Sequence, residues 1–345
     1  MPSNSLKIFV AIGVLILPVV ATAHHSANEF DQSKVVEIDG LIVDVFWRNP
    51  HVIIKVAADM DDPDAVWELE GASVSSLSRR GLSRDMLNNG DFVKAAGYAS
   101  TRKTGHLLLT QILLPGGEEL LVRRNAAPRW TTTAARGREL ALDPAKVTAA
   151  EAEADSIFRV WTWGRAEPGW WFFAGPERFP LTDAALASLE NYDEYTDNPV
   201  LKCIPPGMPA TMGNPYPMTF VRAGDNIEYR SEEFDILRTI HMDADPDAEV
   251  SPSPLGYSVG HWEDPNTLVI RTTRINAPYF NRVGVRQTQD AVVDERFALN
   301  DDGARLDYAI KVTDAATLEK PWEWGAHWVW APGEEVGTYE CTVAE

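Results

Sequence analysis

Val35–Trp47 reads VVEIDGLIVDVFW, a run of residues that favour β-strands, with Gly40 near its middle. Period-two alternation places Leu41, Val43 and Val45 on one face of this strand. A glycine inside a strand permits the sharp bend that small barrels require. We therefore predict that this stretch forms a bent strand of a small β-barrel.

Further strands and one short helix follow this stretch. Val52, Ile54 and Val56 alternate onto one face of the next strand. Three strands, one helix and two strands is the order of the OB-fold, a five-stranded Greek-key barrel. The remaining elements are predicted as strands at 51–57, at 66–71, within 88–100 and at 105–114, and as a helix within 72–81 that Ser73 or Ser75 caps and Gly81 ends.

The second half, from Ile157, is rich in aromatic residues and then shows short strands separated by turn residues. Such an antiparallel meander closes most simply into a lipocalin-like β-barrel with a cavity, and a β-sandwich is the alternative. The chain is therefore predicted to be mainly β. The predicted strands lie at 157–164, 218–224, 226–232, 234–243, 256–264, 267–275, 291–299, 305–314, 322–330 and 338–343.

The N-terminus has the features of an export signal. Lys7 precedes the apolar run Ile8–Val20, which at 13 residues is shorter than the roughly 20 that span a bilayer as a helix. Ala21–Ala23 has the small-x-small form that signal peptidase reads. We predict an exported, periplasmic protein without a stable membrane span, with a retained N-terminal anchor as the alternative. The predicted units are a signal peptide at 1–23, an OB-like domain at 24–125, a linker with one helix at 126–156 and a β-barrel domain at 157–345.

The two cysteines and the net charge indicate the cellular compartment and the classes of partner. Cys203 and Cys341 are the two cysteines of this 345-residue chain. In an oxidising compartment such a pair is most simply a disulfide, and two free thiols are the alternative. The formal net charge of −20 argues against a nucleic-acid partner, because phosphates need a basic surface. A small-molecule ligand is the partner class that these properties leave open.

Five motifs follow one another in the first half: AHHSANEFD at 23–31, FWRNPHV at 46–52, WELEG at 67–71, LSRRGLSRDMLNNGDFV at 77–93 and AAGYAS at 95–100. In this order they resemble an uncharacterised family of exported bacterial domains, over about residues 23–122. The resemblance implies an exported small β-barrel and brings no known activity. Ala27 departs from the family, in which an aromatic residue is common after the serine.

A second set of motifs occupies the other half: CIPPG at 203–207, RTIHMD at 238–243, GYSVGHWE at 256–263, ERF at 295–297 and YEC at 339–341. These resemble exported bacterial proteins of unknown function, from about residue 157 to the end. The resemblance carries no catalytic assignment. His261 stands where arginine is usual in those proteins.

The predicted cleavage site raises a metal-binding hypothesis. Cleavage after Ala23 frees the amine of His24, and a terminal amine and the imidazole of the same residue can chelate one metal ion. A further histidine, either His51 or His25, completes a three-nitrogen site suited to copper. Cleavage one residue earlier makes His25 third, which binds Cu(II) through the amine, two backbone nitrogens and the imidazole. The alternatives are two solvated histidines at a flexible end and a His51 that only caps a turn.

A polar patch is the candidate catalytic site. Alternation over residues 257–263 places His261 and Glu263 on one face of a strand, and Arg271 and Glu295 lie on nearby predicted strands. Inside a barrel these four groups would bind a ligand or act as acid and base. The alternative is a salt bridge or a solvated outer face.

Tryptophans at even spacing are the candidate ligand-binding residues. On one continuous strand they share a face, and a cavity lined in this way suits an apolar, sugar or aromatic ligand. The alternatives are an ordinary barrel core and a strand that Gly325 interrupts. The candidates are Trp322, Trp324, Trp328, Trp330 and Tyr257, with Trp161, Trp163, Trp170 and Trp171 covering the same region.

Three functions follow from these patterns. The first is a periplasmic binding protein for a small apolar or aromatic ligand. The second is a copper-binding protein that uses His24 with His51 or His25, and the third is a hydrolase or isomerase that uses the polar patch.

Of the other histidines, His106 lies beside a glycine in a predicted turn and is expected to be exposed.

Overall fold

The computed structural model describes residues 29–58, 65–123, 126–132, 135–137, 142–163, 176–193 and 196–342. Strands predominate over helices in these segments. The first half contains strands β1 (Phe30–Phe46), β2 (Ile53–Ala57), β3 (Val66–Glu70), β4 (Phe92–Ser100), β5 (His106–Leu113), β6 (Glu119–Leu121) and β7 (Ala135–Arg136), with helix α1 (Val74–Ser78) between β3 and β4.

The first five strands close into a ring. They are hydrogen-bonded in the order β3-β2-β1-β4-β5, and a parallel pairing of β3 with β5 joins the two ends. This is the OB-like barrel that the sequence predicts. Ser73 caps α1, its side chain accepting a hydrogen bond from the Ser76 amide. The apolar faces of the five strands and Leu77 of α1 form one buried core.

Strand β1 changes its partner strand beside Gly40, where the sequence predicts a bend. It pairs with β4 up to Leu41 and with β2 from Leu41 onward. A side chain at Gly40 would place its Cβ only 2.1 Å from the Ala57 carbonyl oxygen, so this position requires glycine.

The predicted alternation beyond Gly40 is wrong. A β-bulge between Ile42 and Asp44 shifts the register by one residue. Ile42 and Val45 are therefore buried, whereas Val43 is 45% exposed.

The second half contains helices α2 (Pro144–Ala152) and α3 (Asp183–Leu189) and nine strands. Asp143 and Thr182 cap the two helices. The strands are β8 (Val160–Trp163), β9 (Met218–Ala223), β10 (Asn226–Ser231), β11 (Ile236–Met242), β12 (Tyr257–Asp264), β13 (Thr267–Thr273), β14 (Val292–Leu299), β15 (Arg305–Thr313) and β16 (Trp322–Trp330).

These nine strands form a closed barrel in the order β10-β11-β12-β13-β14-β15-β16-β8-β9, which confirms the barrel and excludes the sandwich. One pairing departs from the predicted meander, because β11 and β12 run parallel. The connection 243–256 is long enough to return the chain to the starting end of its neighbour, as a parallel pair requires. The main hydrophobic core lies inside this barrel.

The last predicted strand, at 338–343, is absent from the described part of that segment. Instead, Cys341 makes an isolated bridge to Asn49 in the first barrel. The predicted disulfide is confirmed, since Cys203 and Cys341 are bonded with their Cα atoms 5.6 Å apart. The C-terminal segment thus contacts the first barrel and is covalently held by the second half.

Among the helices of the described segments, none combines the length and the apolar character needed to cross a membrane.

Candidate functional site

A cavity of about 350 Å³ lies where the two barrels meet, and we call it the junction cavity. Its walls come from the turn before β2, the end of β3, α1, β5, the segment after β6 and one residue of the second half. The residues that line the cavity include His51, Glu70, Ser76, Leu108, Arg123 and Tyr216.

Asn49 fixes one edge of this cavity. Its side-chain oxygen accepts a 3.0 Å hydrogen bond from the Val74 amide at the start of α1, and its side-chain nitrogen donates to the Tyr339 carbonyl. Its own carbonyl accepts from the Thr342 amide at 3.1 Å. Because Asn49 is 3% exposed and fully engaged, it holds the turn that carries His51 against the C-terminal segment.

Arg79 makes a second connection between the barrels. Its guanidinium donates to Glu334 at 2.8 Å and to the buried Glu232. The same Glu232 carboxylate accepts from the Gly337 amide at 3.0 Å. These contacts hold the two barrels together around the junction cavity.

Four titratable side chains form a chain of contacts, and two of them, His51 and Glu70, line the cavity. His51 Nδ1 lies 2.7 Å from Glu70 Oε1, and His106 Nε2 lies 3.4 Å from Glu70 Oε2. His106 Nδ1 lies 3.5 Å from Glu29 Oε1. With a side chain only 13% exposed, His106 is not in the exposed turn that the sequence predicts, because it begins β5 beside β3.

The charges of this chain depend on one another. Burial alone would raise the pKa of the Glu70 carboxyl, but His51 and His106 outweigh it and hold that pKa far below its usual range. Burial alone would lower the pKa of both histidines, but Glu70 reverses the effect and raises each of them. Glu70 is therefore ionised and stabilises protonated imidazoles beside it.

The contact to Glu70 also selects which nitrogen of His51 is available. Because Nδ1 faces the carboxylate, a neutral His51 carries its proton there and leaves Nε2 as the acceptor. A carboxylate that accepts a hydrogen bond from one imidazole nitrogen commonly orients the other nitrogen toward a metal. In His106, Nδ1 is buried and makes no hydrogen bond with any described residue.

Arg123 brings a further charge to the cavity. Its guanidinium makes no hydrogen bond or ion pair with the residues that the structure describes, and burial lowers its pKa against a smaller opposing effect of Glu70. Arg80, beside it, instead donates to the carbonyls of Leu121, Val122 and Gly137. Arg80 is thus held by backbone, whereas Arg123 is not.

The four residues of the predicted catalytic patch are not brought together. His261, Glu263 and Arg271 are exposed on the outer face of the second barrel. Arg271 pairs with Asp294 at 2.7 Å, and Glu263 pairs with Arg296 at 2.7 Å.

Glu295 lies inside the barrel instead. Its side chain is fully buried, 2.5 Å from the Arg238 guanidinium, and it accepts a 3.0 Å hydrogen bond from the Tyr308 hydroxyl. Arg238 also donates to Ser258 and Thr272. Glu295 therefore belongs to an internal network that is separate from the three outer residues.

The four tryptophans of β16 share the inner face, with Gly325 leaving the strand unbroken. They pack against other rings. Trp328 is 1% exposed and contacts Trp163, Phe297 and Tyr308 at ring-centre distances of 5.3, 5.9 and 4.9 Å. The remaining contacts are Trp322 with Phe179 and Phe280, Trp324 stacked on Trp163, and Trp330 under Arg159.

Tyr257 is not near these rings, because it lies on the outer face beside His241. Trp161 is fully buried in the core, and Trp170 and Trp171 lie outside the described residues.

A second cavity, of about 520 Å³, opens at one end of the second barrel, and we call it the barrel-mouth cavity. Phe158 and Trp262 form an aromatic wall, with ring centres 6.2 Å apart, and Ile227 and Met242 contribute further apolar surface. Trp262 is 37% exposed. Phe158 and Trp262 were not among the predicted ligand-binding residues, since neither belongs to the evenly spaced tryptophans.

The histidines of the metal hypothesis are only partly described. His51 borders the junction cavity, whereas His24 and His25 lie outside the described residues. Within the described segments, no three His, Cys, Asp or Glu side chains are arranged to hold a metal ion. A metal at His51 would therefore need ligands from another part of the chain.

Sequence reasoning missed Glu70, His106, Arg123 and Tyr216. The signal for Glu70 was present, because it lies in the WELEG motif and His51 lies in the Asn-Pro-His motif, but nothing local indicated that the two motifs meet.

Comparison with curated proteins finds no match. Residues 13–107, which include His51, Glu70 and His106, match a family of unknown function (DUF6152).

Proposed function

We propose that this is a periplasmic copper-binding protein, in which the amine and imidazole of a processed His24 bind the metal together with His51. The observation that carries the proposal is the contact of His51 Nδ1 with Glu70, which leaves Nε2 for a metal. The Cys203–Cys341 disulfide supports the periplasmic part of the proposal indirectly, since disulfides form in oxidising compartments.

A short series of contacts links Glu29 to His51. Glu29 lies against His106, which shares Glu70 with His51. Four residues lie between His24 and Glu29, and the five residue steps of extended chain reach at most about 17 Å. A tether of this length is what the proposal requires for His24 to reach His51.

The donor set favours copper over harder ions. One amine and two imidazoles are nitrogen ligands, which suit copper and zinc, and among divalent ions copper binds such sites most tightly. His25 is an alternative second imidazole, and cleavage after Thr22 would give the four-nitrogen arrangement that ends at His25. These possibilities differ in which substitution abolishes binding.

Copper titration of the mature, full-length protein purified from periplasm tests the proposal, with native mass spectrometry to report the N-terminus. We expect His51→Ala to weaken Cu(II) binding and Glu70→Gln to weaken it by about 10- to 100-fold, because Glu70 orients the ligand. A variant with one glycine inserted before His24 should lose binding similarly, since its amine is displaced. His261→Ala, on the outer face of the second barrel, is the matched control and should bind normally. Unchanged affinity in both His51→Ala and the glycine variant would contradict the proposal.

A second candidate is the predicted binding of a small apolar or aromatic ligand, at the barrel-mouth cavity rather than at the β16 tryptophans. The exposed Trp262 ring beside Phe158 favours it. Aromatic ligands should quench Trp262 fluorescence, and Trp262→Ala should abolish binding while Trp324→Phe retains it. Equal affinity in the Trp262→Ala variant would exclude this site.

A further inference from the structure

We propose that the junction cavity binds a small organic carboxylate with an apolar or aromatic body, and that Arg123 is its counter-charge. Carboxylate binding is a function additional to copper binding. It does not depend on His24 or on a bound metal, because Arg123 and the cavity lining all lie in the described part of the chain.

Arg123 stands apart from the other inward-facing arginines of the described chain. Arg238 pairs with Glu295, Arg282 pairs with Glu233, and Arg80 donates to three backbone carbonyls. Only Arg123 among these four lacks a hydrogen-bonded acceptor in the described residues, although its side chain borders a cavity. Removing a guanidinium from water without an acceptor is costly, so an anion in the cavity would be favoured.

Glu70 does not supply that acceptor. Its charge acts on Arg123, but its two oxygens face His51 and His106 at 2.7 and 3.4 Å. Among the lining side chains, Arg80 and Arg123 carry positive charge and Glu70 carries negative charge, so the wall is more positive than negative. A ligand carboxylate would therefore meet a complementary field in a protein whose formal net charge is −20.

The rest of the cavity suits the body of such a ligand. Phe30, Leu108 and Val122 supply apolar surface, and the Ser76 hydroxyl and the Tyr216 ring complete the lining. The volume of about 350 Å³ lies at the small end of the range for ligand pockets, which limits the body to about one ring. An arginine binds a carboxylate through two parallel hydrogen bonds, which separates carboxylates from neutral isosteres.

Calorimetric titration of the chelator-treated, full-length protein tests this, with benzoate, cyclohexanecarboxylate, benzamide and inorganic phosphate as probes. We expect both carboxylates to bind and benzamide, the neutral isostere, to bind at least about tenfold more weakly. Arg123→Gln should lose benzoate binding, and Arg123→Lys should retain part of it. Arg271→Gln, on the outer face of the second barrel, is the matched control.

Each outcome is decisive. Benzoate binding that survives in Arg123→Gln overturns the proposal, as does phosphate that binds while both carboxylates do not. If Arg123→Gln unfolds, the Arg123→Lys variant takes its place. A weaker affinity for benzoate and a smaller ratio of benzoate to benzamide affinity than in the unmodified protein would support the proposal, and unchanged values would overturn it. The glycine insertion before His24 separates this proposal from the copper site, because that variant should lose copper and keep benzoate.

Discussion

Replacing Glu295 by glutamine tests the assignment of this carboxylate to the internal network rather than to a catalytic patch. The Glu295 side chain is fully buried and that of Arg238 is 2% exposed, with 2.5 Å between the charged groups. The substitution removes one charge and leaves the Arg238 guanidinium buried without its counter-ion. Breaking one partner of such a pair costs about 3–5 kcal/mol.

The matched control is Glu263→Gln on the outer face of the same barrel. Glu263 also pairs with an arginine, at 2.7 Å from Arg296, but both side chains are about half exposed. Solvent and salt screen this pair, so its loss should cost no more than about 1 kcal/mol. The two variants thus remove the same charge from two environments.

Urea unfolding followed by tryptophan fluorescence measures both free energies of unfolding. We expect the midpoint to fall markedly in Glu295→Gln and little in Glu263→Gln, with unchanged slopes. A double substitution, Arg238→Met with Glu295→Leu, should recover most of the loss because it leaves no buried charge. Equal losses in the two single variants would refute the assignment.

Three further predictions follow from the same contacts. Replacing Cys203 and Cys341 by serine opens a loop with a sequence separation of 138 residues, and the chain-entropy model then predicts a loss of about 5 kcal/mol in the free energy of urea unfolding; an unchanged value would contradict it. Trp328→Ala should cost about 3–5 kcal/mol because it leaves a cavity among buried rings, and a smaller loss would mean that the barrel interior is loosely packed. The raised pKa of His51 adds stability that is complete below its unfolded value near 6.5 and disappears as the pH rises through the folded pKa. The lowered pKa of Glu70 adds stability above about 4.5 that disappears as the pH falls through the folded pKa. In metal-free protein, His51→Gln should therefore lower the melting temperature more at about pH 5.5 than at about pH 8.5, and the reverse order would contradict the pairing.

Local sequence patterns were enough for most elements of the fold. The alternation of Val52, Ile54 and Val56 reports which face of β2 is buried, since neighbouring side chains of a strand point to opposite faces. Ser73, one of the two caps that the sequence predicts, caps α1, because a cap is formed within one turn of chain. The regular spacing of strands and turns likewise indicated a closed barrel.

Where two distant segments meet was beyond these patterns. Val43 turned outward because pairing with β2 introduced a bulge, which depends on the partner strand as much as on β1 itself. The pattern around Glu295 placed it in a strand, but only the closure of the barrel decided that Arg238 lies opposite it.

The sequence by itself thus determined the β architecture, the position of most strands in both halves and the pairing of the two cysteines. Only the tertiary structure decided that His51, Glu70 and Arg123 line one cavity, that His106 contacts the same Glu70, and that His261 does not share a site with Glu295. The physical reason is that periodicity and capping depend on interactions between near neighbours in the chain. The convergence of charged side chains depends instead on strand register and barrel closure, which bring together residues up to hundreds of positions apart.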